Sequence, residues 1–185
     1  MSKVIVPLGK EFEEMEAVTI IDVLRRGGIE VIVASLDSQL AVKGANRITI
    51  MADRSIEGIS ADDIDMIVLP GGWGGTYQLA DSDLVQNLLK EMDDKEKLIG
   101  AICAAPFALK RHDILPKNYT CYPKANEFVK GFNYIDSKQV VEDGNVMTSR
   151  GPATAICFGL QIVKKLVGED VYKDVRAGLL AEYCD

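Results

Sequence analysis

The chain has 185 residues, 48% of them hydrophobic and 26% charged, which is the composition of a folded domain and excludes a disordered chain. The 28 acidic residues outnumber the 21 basic ones and give a formal net charge of −7, so nucleic acid and anionic membranes are poor partners. No stretch approaches the ~20 apolar residues of a membrane span, and we expect a single cytoplasmic domain over residues 1–185.

The chain begins with the pattern of a strand, a helix and a second strand. Residues 4–8 are an apolar run that predicts a buried strand. Apolar residues then recur at helical spacing over residues 13–26; acidic residues favour a helix start there, and two glycines end it. Residues 29–35 predict the next strand. This unit should place its two strands parallel to each other.

The next segment combines a small hairpin, a buried strand and a run of glycines. Residues 42–51 alternate in part and predict an edge strand or hairpin outside the core. Residues 65–69 predict a buried strand that continues into residues 70–75, which we expect to be a loop whose backbone approaches another group closely. This segment lacks the Gly-Lys-Ser/Thr sequence of a phosphate loop. Trp73 either covers the core from outside, which we predict, or lines a pocket.

The centre of the chain predicts a helix over residues 83–92 and then a strand that stops at a cysteine. Residues 98–102 are apolar and of strand length, as expected for a strand buried on both faces of a parallel sheet. Cys103 follows, and after two alanines Pro106 opens a helical pattern over residues 107–111. Cys103 is therefore predicted to lie on a tight turn between a strand and a helix.

This turn gives Cys103 two possible roles. Unpaired N–H groups and the positive end of a helix dipole would lower its pKa and make the thiol a reactive nucleophile. Alternatively, Cys103 is a small buried hydrophobic residue, which is the commonest environment of a free cysteine. The segment by itself leaves both roles open.

The last third of the chain predicts short strands followed by helices. Residues 120–122 predict a strand ended by Pro123, and residues 139–141 and 145–148 predict a hairpin with an Asp-Gly turn. Two helices complete the predicted elements, over residues 153–167 and 169–177.

Alternating strands and helices predict an open α/β sheet, mostly parallel, with helices on both faces. In such sheets, sites form where the carboxyl ends of strands meet. Four predicted loops lie at such ends, over residues 9–16, 70–75, 103–105 and 122–123. We expect them to be neighbours, which brings together a cysteine, a carboxylate and a glycine-rich backbone. That set of groups suits thiol chemistry with an oxyanion site.

Four cysteines and one histidine limit the metal chemistry of the chain. The cysteines are at positions 103, 121, 157 and 184, and no two have the spacing of metal ligands. We predict that all four are reduced thiols, with Cys157 buried and inert and Cys184 exposed. We predict no metal site and no cofactor.

Four motifs, in one order along the chain, carry a resemblance to a known family. They are Glu-Glu-Met-Glu at residues 13–16, Val-Leu-Pro-Gly-Gly at 68–72, Ala-Ile-Cys-Ala-Ala-Pro at 101–106 and Thr-Ser-Arg-Gly-Pro at 148–152. With these motifs the sequence resembles the ThiJ/PfpI superfamily, and within it the branch of the parkinsonism-associated protein deglycase. The resemblance implies a flavodoxin-like three-layer α/β sandwich that forms a homodimer.

The resemblance also implies the roles of the site residues. Cys103 would be the reactive, oxidation-prone cysteine, and Glu16 the carboxyl that hydrogen-bonds its sulfur. The backbone N–H groups of Gly72 and Ala104 would form an oxyanion site. Glu16 has a plainer alternative as one more acid at a helix start.

Two arginines match family arginines near the site. These are Arg150 and Arg47, and by the resemblance Arg47 reaches the site from the other subunit. Both could equally form ordinary surface or interface ion pairs.

The chain departs from the family at Tyr122, where many members carry a histidine before a proline. The only histidine of the chain, His112, lies in a charged segment and is predicted at the surface. Proteolysis by a Cys-His pair would therefore lack its base. Tyr122 could donate a hydrogen bond but is a poor base near neutral pH.

Two functions follow from these residues. In the first, Cys103 adds to the aldehyde of a reactive dicarbonyl such as methylglyoxal, or acts on glycated proteins as a deglycase, and Glu16 moves the proton. In the second, Cys103 senses oxidative stress by becoming a sulfinate that a protonated Glu16 stabilises, and the protein binds unfolded clients as a redox-regulated chaperone. We rank the enzyme first because its proposed base, Glu16, is present.

Overall fold

A computed structural model describes residues 1–184 of the chain. The strands, in chain order, are β1 (Lys3–Leu8), β2 (Glu30–Ser35), β3 (Ala41–Lys43), β4 (Thr49–Met51), β5 (Arg54–Ser55), β6 (Met66–Leu69), β7 (Leu98–Ile102), β8 (Asn118–Tyr119), β9 (Asn133–Tyr134), β10 (Val140–Asp143) and β11 (Val146–Ser149). The α-helices are α1 (Glu14–Arg26), α2 (Trp73–Asp81), α3 (Asp83–Asp94), α4 (Pro106–Lys110), α5 (Asn126–Val129), α6 (Ala155–Val167) and α7 (Glu169–Gly178). Short 3-10 helices lie at Ala61–Asp63 and Pro152–Thr154.

Seven of the strands form one sheet in the order β10-β11-β7-β6-β1-β2-β5. All neighbours in this sheet are parallel except β10 and β11, which form the antiparallel hairpin at one edge. The pairs β3–β4 and β8–β9 lie outside it. The predicted flavodoxin-like α/β sandwich with a mostly parallel sheet is confirmed.

Alternate residues of the central strands supply the cores on the two faces of the sheet. In β1, Val4, Val6 and Leu8 pack with α1, α6 and α7 on one face. Ile5 points to the other face, where it joins the buried residues of α2, α3 and α4. The period of two along a strand thus gives each face an apolar layer for helices to cover. No helix among residues 1–184 has the length and apolar character needed to span a membrane.

Two predicted boundaries are wrong. Residues 73–75 are not loop but the first turn of α2, because Gly72 ends the loop at φ +86° and buried side chains of α2 then pack against the core. Residues 120–122 are not a strand; the strand is β8, which pairs with β9, and Tyr122 opens a turn in which its carbonyl accepts from Ala125 N at 2.8 Å. The sequence analysis did not find the nine-residue helix α2, nor β5, β9 and α5, which are only two to four residues long.

A disulfide between Cys157 and Cys184 ties the end of the chain to α6. The prediction of four reduced thiols, with an exposed Cys184, is wrong: Cys103 and Cys121 are free, whereas Cys184 is fully buried. The reason is that the segment after α7 folds back onto the core. Arg176 holds this fold-back through the carbonyls of Ala181 at 3.2 Å and Glu182 at 2.7 Å.

Breaking this disulfide should destabilise the fold. The bridge closes a segment with a sequence separation of 27, and a loop of that size corresponds to about 3.5 kcal/mol of unfolding free energy. We expect the Cys157→Ser/Cys184→Ser variant to show a loss of about that size in denaturant unfolding. Reductant should lower the stability of the wild type and of Cys121→Ser, which keeps the bridge. If reductant lowered the stability of the double variant as much as that of the wild type, the assignment of a disulfide between Cys157 and Cys184 would be contradicted.

Candidate active site

Cys103 lies between the end of β7 and the start of α4, as predicted, in a left-handed backbone conformation. Its φ is +64°, which is unusual for a residue with a side chain and is retained only where the surroundings fix it. The Cys103 N–H donates to the carbonyl of Ser149 at 3.0 Å, which holds the turn against β11. The side chain is half-buried. The turn therefore projects the thiol from the carboxyl edge of the sheet, as sharp strand-to-helix turns do.

Glu16 is fully buried in the first turn of α1, beside the thiol. Its Oε2 accepts a hydrogen bond from Gly71 N at 2.8 Å. Its Oε1 has no nitrogen or oxygen partner among residues 1–184, and the carboxyl interacts with the Cys103 thiol. Glu13 fixes the position of this helix start, because its side chain caps α1 by accepting from Glu16 N at 2.7 Å. An acid that only stabilises a helix start does not need to be buried. The burial of Glu16 therefore argues against this plainer role.

Burial raises the pKa of Glu16 to about 7, since a carboxylate is poorly solvated in this position. Hydrogen bonds with Cys103 and Gly71 oppose this rise in pKa, and the charge of Glu13 adds to it. At neutral pH the carboxyl is therefore divided between its protonated and charged forms. That division suits a group that has to give and take a proton.

The pKa of the Cys103 thiol is raised rather than lowered, so the predicted depression of this pKa is wrong. The largest cause is burial, followed by the charge of Glu16 and its hydrogen bond to the thiol. Backbone N–H groups of Gly72 and Ala104 hydrogen-bond the sulfur and act in the opposite direction. The helix that follows, α4, has only five residues, too few to outweigh burial.

The thiol and the carboxyl titrate as one coupled pair. The first proton leaves the pair near the pKa of about 7 for Glu16, and the proton that remains lies mainly on the sulfur, because the pKa of the thiol is raised further than that of the carboxyl. When Glu16 holds that proton, the sulfur is a thiolate that faces two N–H donors and one O–H donor. This singly protonated pair is the nucleophilic form of the site.

The glycine segment allows the groups to come this close. A Cβ on Gly71 would lie 2.6 Å from Cys103 Cβ and 2.6 Å from Glu16 Oε2, so a side chain there would push the pair apart. Gly72 adopts φ +86°, which aims its N–H at the sulfur. The sequence analysis missed the role of Gly71. The glycine-rich segment did predict a close backbone approach, and that pattern could have identified this residue.

The predicted meeting of four loops is confirmed. Gly71 O accepts from Glu13 N at 2.9 Å, which joins the first loop to the second. The fourth loop reaches the third because Tyr122 N donates to Cys103 O at 2.9 Å. The Tyr122 side chain is 43% exposed and lies near Gly151, where a Cβ would be 3.4 Å from its ring. Tyr122 therefore adjoins the Cys103 turn through its backbone, with its side chain open to solvent.

Within residues 1–184, no hydrogen bond or ion pair joins the side chains of the two arginines or the histidine to Cys103 or Glu16. Arg150 donates to the carbonyl of Asp136 at 2.5 Å, and its charge acts on Cys121 and Tyr134. Arg47 is exposed in the turn between β3 and β4, and no hydrogen bond or ion pair joins its side chain to another described residue. His112 is exposed on the surface, as predicted.

The chain is similar to several known proteins in sequence and in fold. Residues 2–165 match the DJ-1/PfpI family. The chain is 43% identical to Protein dj-1beta of Drosophila melanogaster over 99% of this chain and 100% of that one. It is 36% identical to the glutathione-independent glyoxalase DJR-1.2 of Caenorhabditis elegans, over 87% of this chain and 86% of that one. The crystal structure of Drosophila melanogaster DJ-1beta superposes with a TM-score of 0.93, covering 97% of this chain and 98% of that one.

The raised pKa of Glu16 should appear as a pH dependence of stability. The folded state holds this proton up to about pH 7, whereas the unfolded chain releases it near 4.5. The free energy of unfolding should therefore fall, relative to Glu16→Gln, as pH rises from about 4.5 to about 7, by about 3 kcal/mol in total. Between about pH 7 and the ionisation of the unfolded thiol near pH 9, the difference should be constant.

Denaturant unfolding of both proteins across this pH range measures the effect. Glu127→Gln removes an exposed carboxyl and should follow the wild type at each pH. Parallel pH profiles for the wild type and Glu16→Gln would contradict a buried carboxyl with this pKa.

Proposed function

Because the chain belongs to the DJ-1/PfpI family, we propose that it converts reactive dicarbonyls such as methylglyoxal into hydroxy acids without glutathione, with Cys103 as nucleophile and Glu16 as proton shuttle. The observation that carries this proposal is the interaction of the buried Glu16 carboxyl with the Cys103 thiol. A relative with 36% identity is named a glutathione-independent glyoxalase, which supports the same reaction class.

The first step joins the thiol to the substrate. The Cys103 thiolate attacks the aldehyde carbon, the carbonyl π electrons move to its oxygen, and that oxygen takes the proton from Glu16. The product is a hemithioacetal. The N–H groups of Gly72 and Ala104, which bond the sulfur in the free protein, are placed to stabilise negative charge at the reacting centre.

The second step moves hydrogen between neighbouring carbons. Glu16, now a carboxylate, removes a proton from the former aldehyde carbon, and the C–H electron pair forms an enediol as the ketone oxygen takes a proton. A proton then adds to the former ketone carbon while the hydroxyl on the sulfur-bearing carbon loses its proton and becomes a carbonyl. The ketone thus becomes an alcohol and the aldehyde carbon becomes a thioester of Cys103. Water hydrolyses the thioester, which releases the 2-hydroxy acid and restores the thiol. One dicarbonyl and one water give one hydroxy acid, with no external oxidant or reductant.

The same attack on an early glycation adduct would make the protein a deglycase. The site is at the carboxyl edge of the sheet with an exposed Tyr122 adjoining the Cys103 turn, so an adduct carried by another protein could approach it. Tyr122 stands where many members of the family have histidine, and the proposed reaction does not need a base there. Proteolysis by a Cys-His pair remains outside the proposal.

We also propose a homodimer. Four exposed apolar side chains belong to α1 and the β3–β4 hairpin, and they are Met15, Val18, Ile48 and Met51. Glu14 holds this hairpin against α1 by accepting from Asn46 N at 2.6 Å and Ile48 N at 3.3 Å. Arg47 lies in the same hairpin, so pairing of this face would carry it to the partner subunit.

The alternative function is a sensor of oxidative stress or a redox-regulated chaperone. Peroxide would oxidise the Cys103 thiolate to a sulfenate and, with a second peroxide, to a sulfinate, releasing water in each step. The raised pKa of Glu16, about 7, favours this function because the protonated carboxyl can donate a hydrogen bond to a sulfinate oxygen near neutral pH.

Lactate production from methylglyoxal tests the enzyme. Freshly reduced wild type should turn over, with a pH–rate profile that rises through about pH 7 as the pair loses its first proton. Cys103→Ser should lose turnover entirely. Cys121→Ser removes the other free thiol and should keep wild-type turnover. Equal rates in Cys103→Ser and wild type would exclude Cys103 as nucleophile.

Replacing Glu16 by Gln separates the two functions. A proton shuttle should lose turnover by a factor of about 10² to 10⁴. Sulfinate formation, followed by the mass of the Cys103 peptide during peroxide treatment, should survive in part because the amide still donates a hydrogen bond. Nearly unchanged dicarbonyl turnover in Glu16→Gln would overturn the catalytic scheme.

A further inference from the structure

Four aromatic side chains form one contiguous group next to the site, which we call the aromatic cluster: Trp73, Tyr77, Phe107 and Phe128. The Trp73 ring stacks on Tyr77 at 5.5 Å between centroids. Its other contacts are edge-to-face, with Phe128 at 5.3 Å and Phe107 at 6.1 Å. Tyr77 and Phe107 are also edge-to-face, at 5.6 Å. These distances and angles are those that aromatic pairs prefer.

The aromatic cluster adjoins the thiol through two short connections. Trp73 directly follows Gly72, whose N–H hydrogen-bonds the Cys103 sulfur. Phe107 belongs to the same turn as the thiol, since its N–H donates to Ala104 O at 3.0 Å. Trp73, Phe107 and Cys103 also pack against one small group of buried side chains. A molecule bound covalently at Cys103 would therefore lie beside these rings.

The aromatic cluster is open to solvent on its outer side. Tyr77 is 47% exposed and Phe128 is 57% exposed, whereas Trp73 and Phe107 are half-buried. Rings that served only the core would be covered, and a group of exposed rings beside a reactive group is typical of a binding surface. The four side chains carry no charge, so the surface suits an apolar, planar group.

We propose that the aromatic cluster is a subsite for the aryl group of an aromatic 2-oxoaldehyde, with phenylglyoxal as the simplest example. This inference rests on the proposed function and names its substrate class. The aldehyde carbon would bond to the Cys103 sulfur while the aryl ring adds one more face or edge to the existing ring contacts. A methyl group in the same place makes no such contact.

The proposed conversion follows the same bonds as for methylglyoxal. Sulfur adds to the aldehyde carbon, hydrogen moves from that carbon to the carbon bearing the ring, and water cleaves the thioester. Phenylglyoxal and one water give mandelate, and the thiol is restored. The two substrates differ only in the group on the ketone carbon, which is a phenyl ring in phenylglyoxal and a methyl group in methylglyoxal.

Paired kinetics on the two aldehydes test the subsite. The wild type should show a higher kcat/KM with phenylglyoxal than with methylglyoxal. Tyr77→Ala and Phe128→Ala remove the two most exposed rings of the cluster. Each should lower the ratio of kcat/KM for phenylglyoxal to kcat/KM for methylglyoxal about three- to tenfold, and leave kcat/KM for methylglyoxal unchanged. Phe132→Ala is the matched control, because Phe132 is 88% exposed and has no ring contact in the described residues. An unchanged ratio in both variants would overturn the subsite.

Binding without reaction separates this inference from the proposed function. Trp73 is the single tryptophan of the chain, so its fluorescence reports the aromatic cluster directly. In Cys103→Ser, which cannot form the hemithioacetal, mandelate should change this fluorescence saturably, lactate should not, and Tyr77→Ala should weaken the effect. Saturable mandelate binding together with no turnover of either aldehyde would overturn the proposed function and leave the subsite standing. Absence of this binding, with turnover of both aldehydes, would overturn the subsite alone.

Discussion

The fold around the site depends on one buried contact, between the Glu16 carboxyl and the Cys103 thiol. Two acidic groups share a poorly solvated space, and burial raises the pKa of both. Such an arrangement is unfavourable unless at least one proton stays in the pair, so the structure keeps a mobile proton at a nucleophilic sulfur. Neither group alone would have this property: a lone buried thiol would be inert, and a lone buried acid would have no neighbour to activate.

Several elements hold these two groups in contact. Glu13 caps α1 and fixes the first turn from which Glu16 projects. Gly71 lets the backbone of the second loop approach both groups, and its N–H holds the inner carboxyl oxygen at 2.8 Å. Ser149 anchors the left-handed turn of Cys103 from the neighbouring strand. Because these contacts come from β1, β6, β7 and β11 together, the parallel sheet with its aligned carboxyl ends is a precondition of the chemistry.

The sequence predicted the sheet class, the long helices and the meeting of four loops because these follow from apolar periodicity and from the rule that sites form at strand ends. It did not predict features set by contacts between distant segments. The pKa of Cys103 depends on burial that no local pattern reveals, and the pairing of Cys157 with Cys184 depends on the return of the chain after α7. The glycines around Trp73 predict a loop. Residues 73–81 nevertheless form α2, because the apolar side chains of this segment are buried in the core, and no local pattern shows that burial.

The bridge at the end of the chain and the thiol at the site differ in how solutes reach them. Cys103 is half-buried at the sheet edge, whereas Cys157 and Cys184 are enclosed, and a reagent meets them only when the last residues leave their place on the core. Thiol exchange follows access as well as potential. An oxidant therefore acts on the accessible thiol of Cys103, whereas a reductant acts on the bridge, and only after the segment that covers it has opened. Two samples in the same reductant, one held briefly and one held long, therefore differ in whether the bridge is intact.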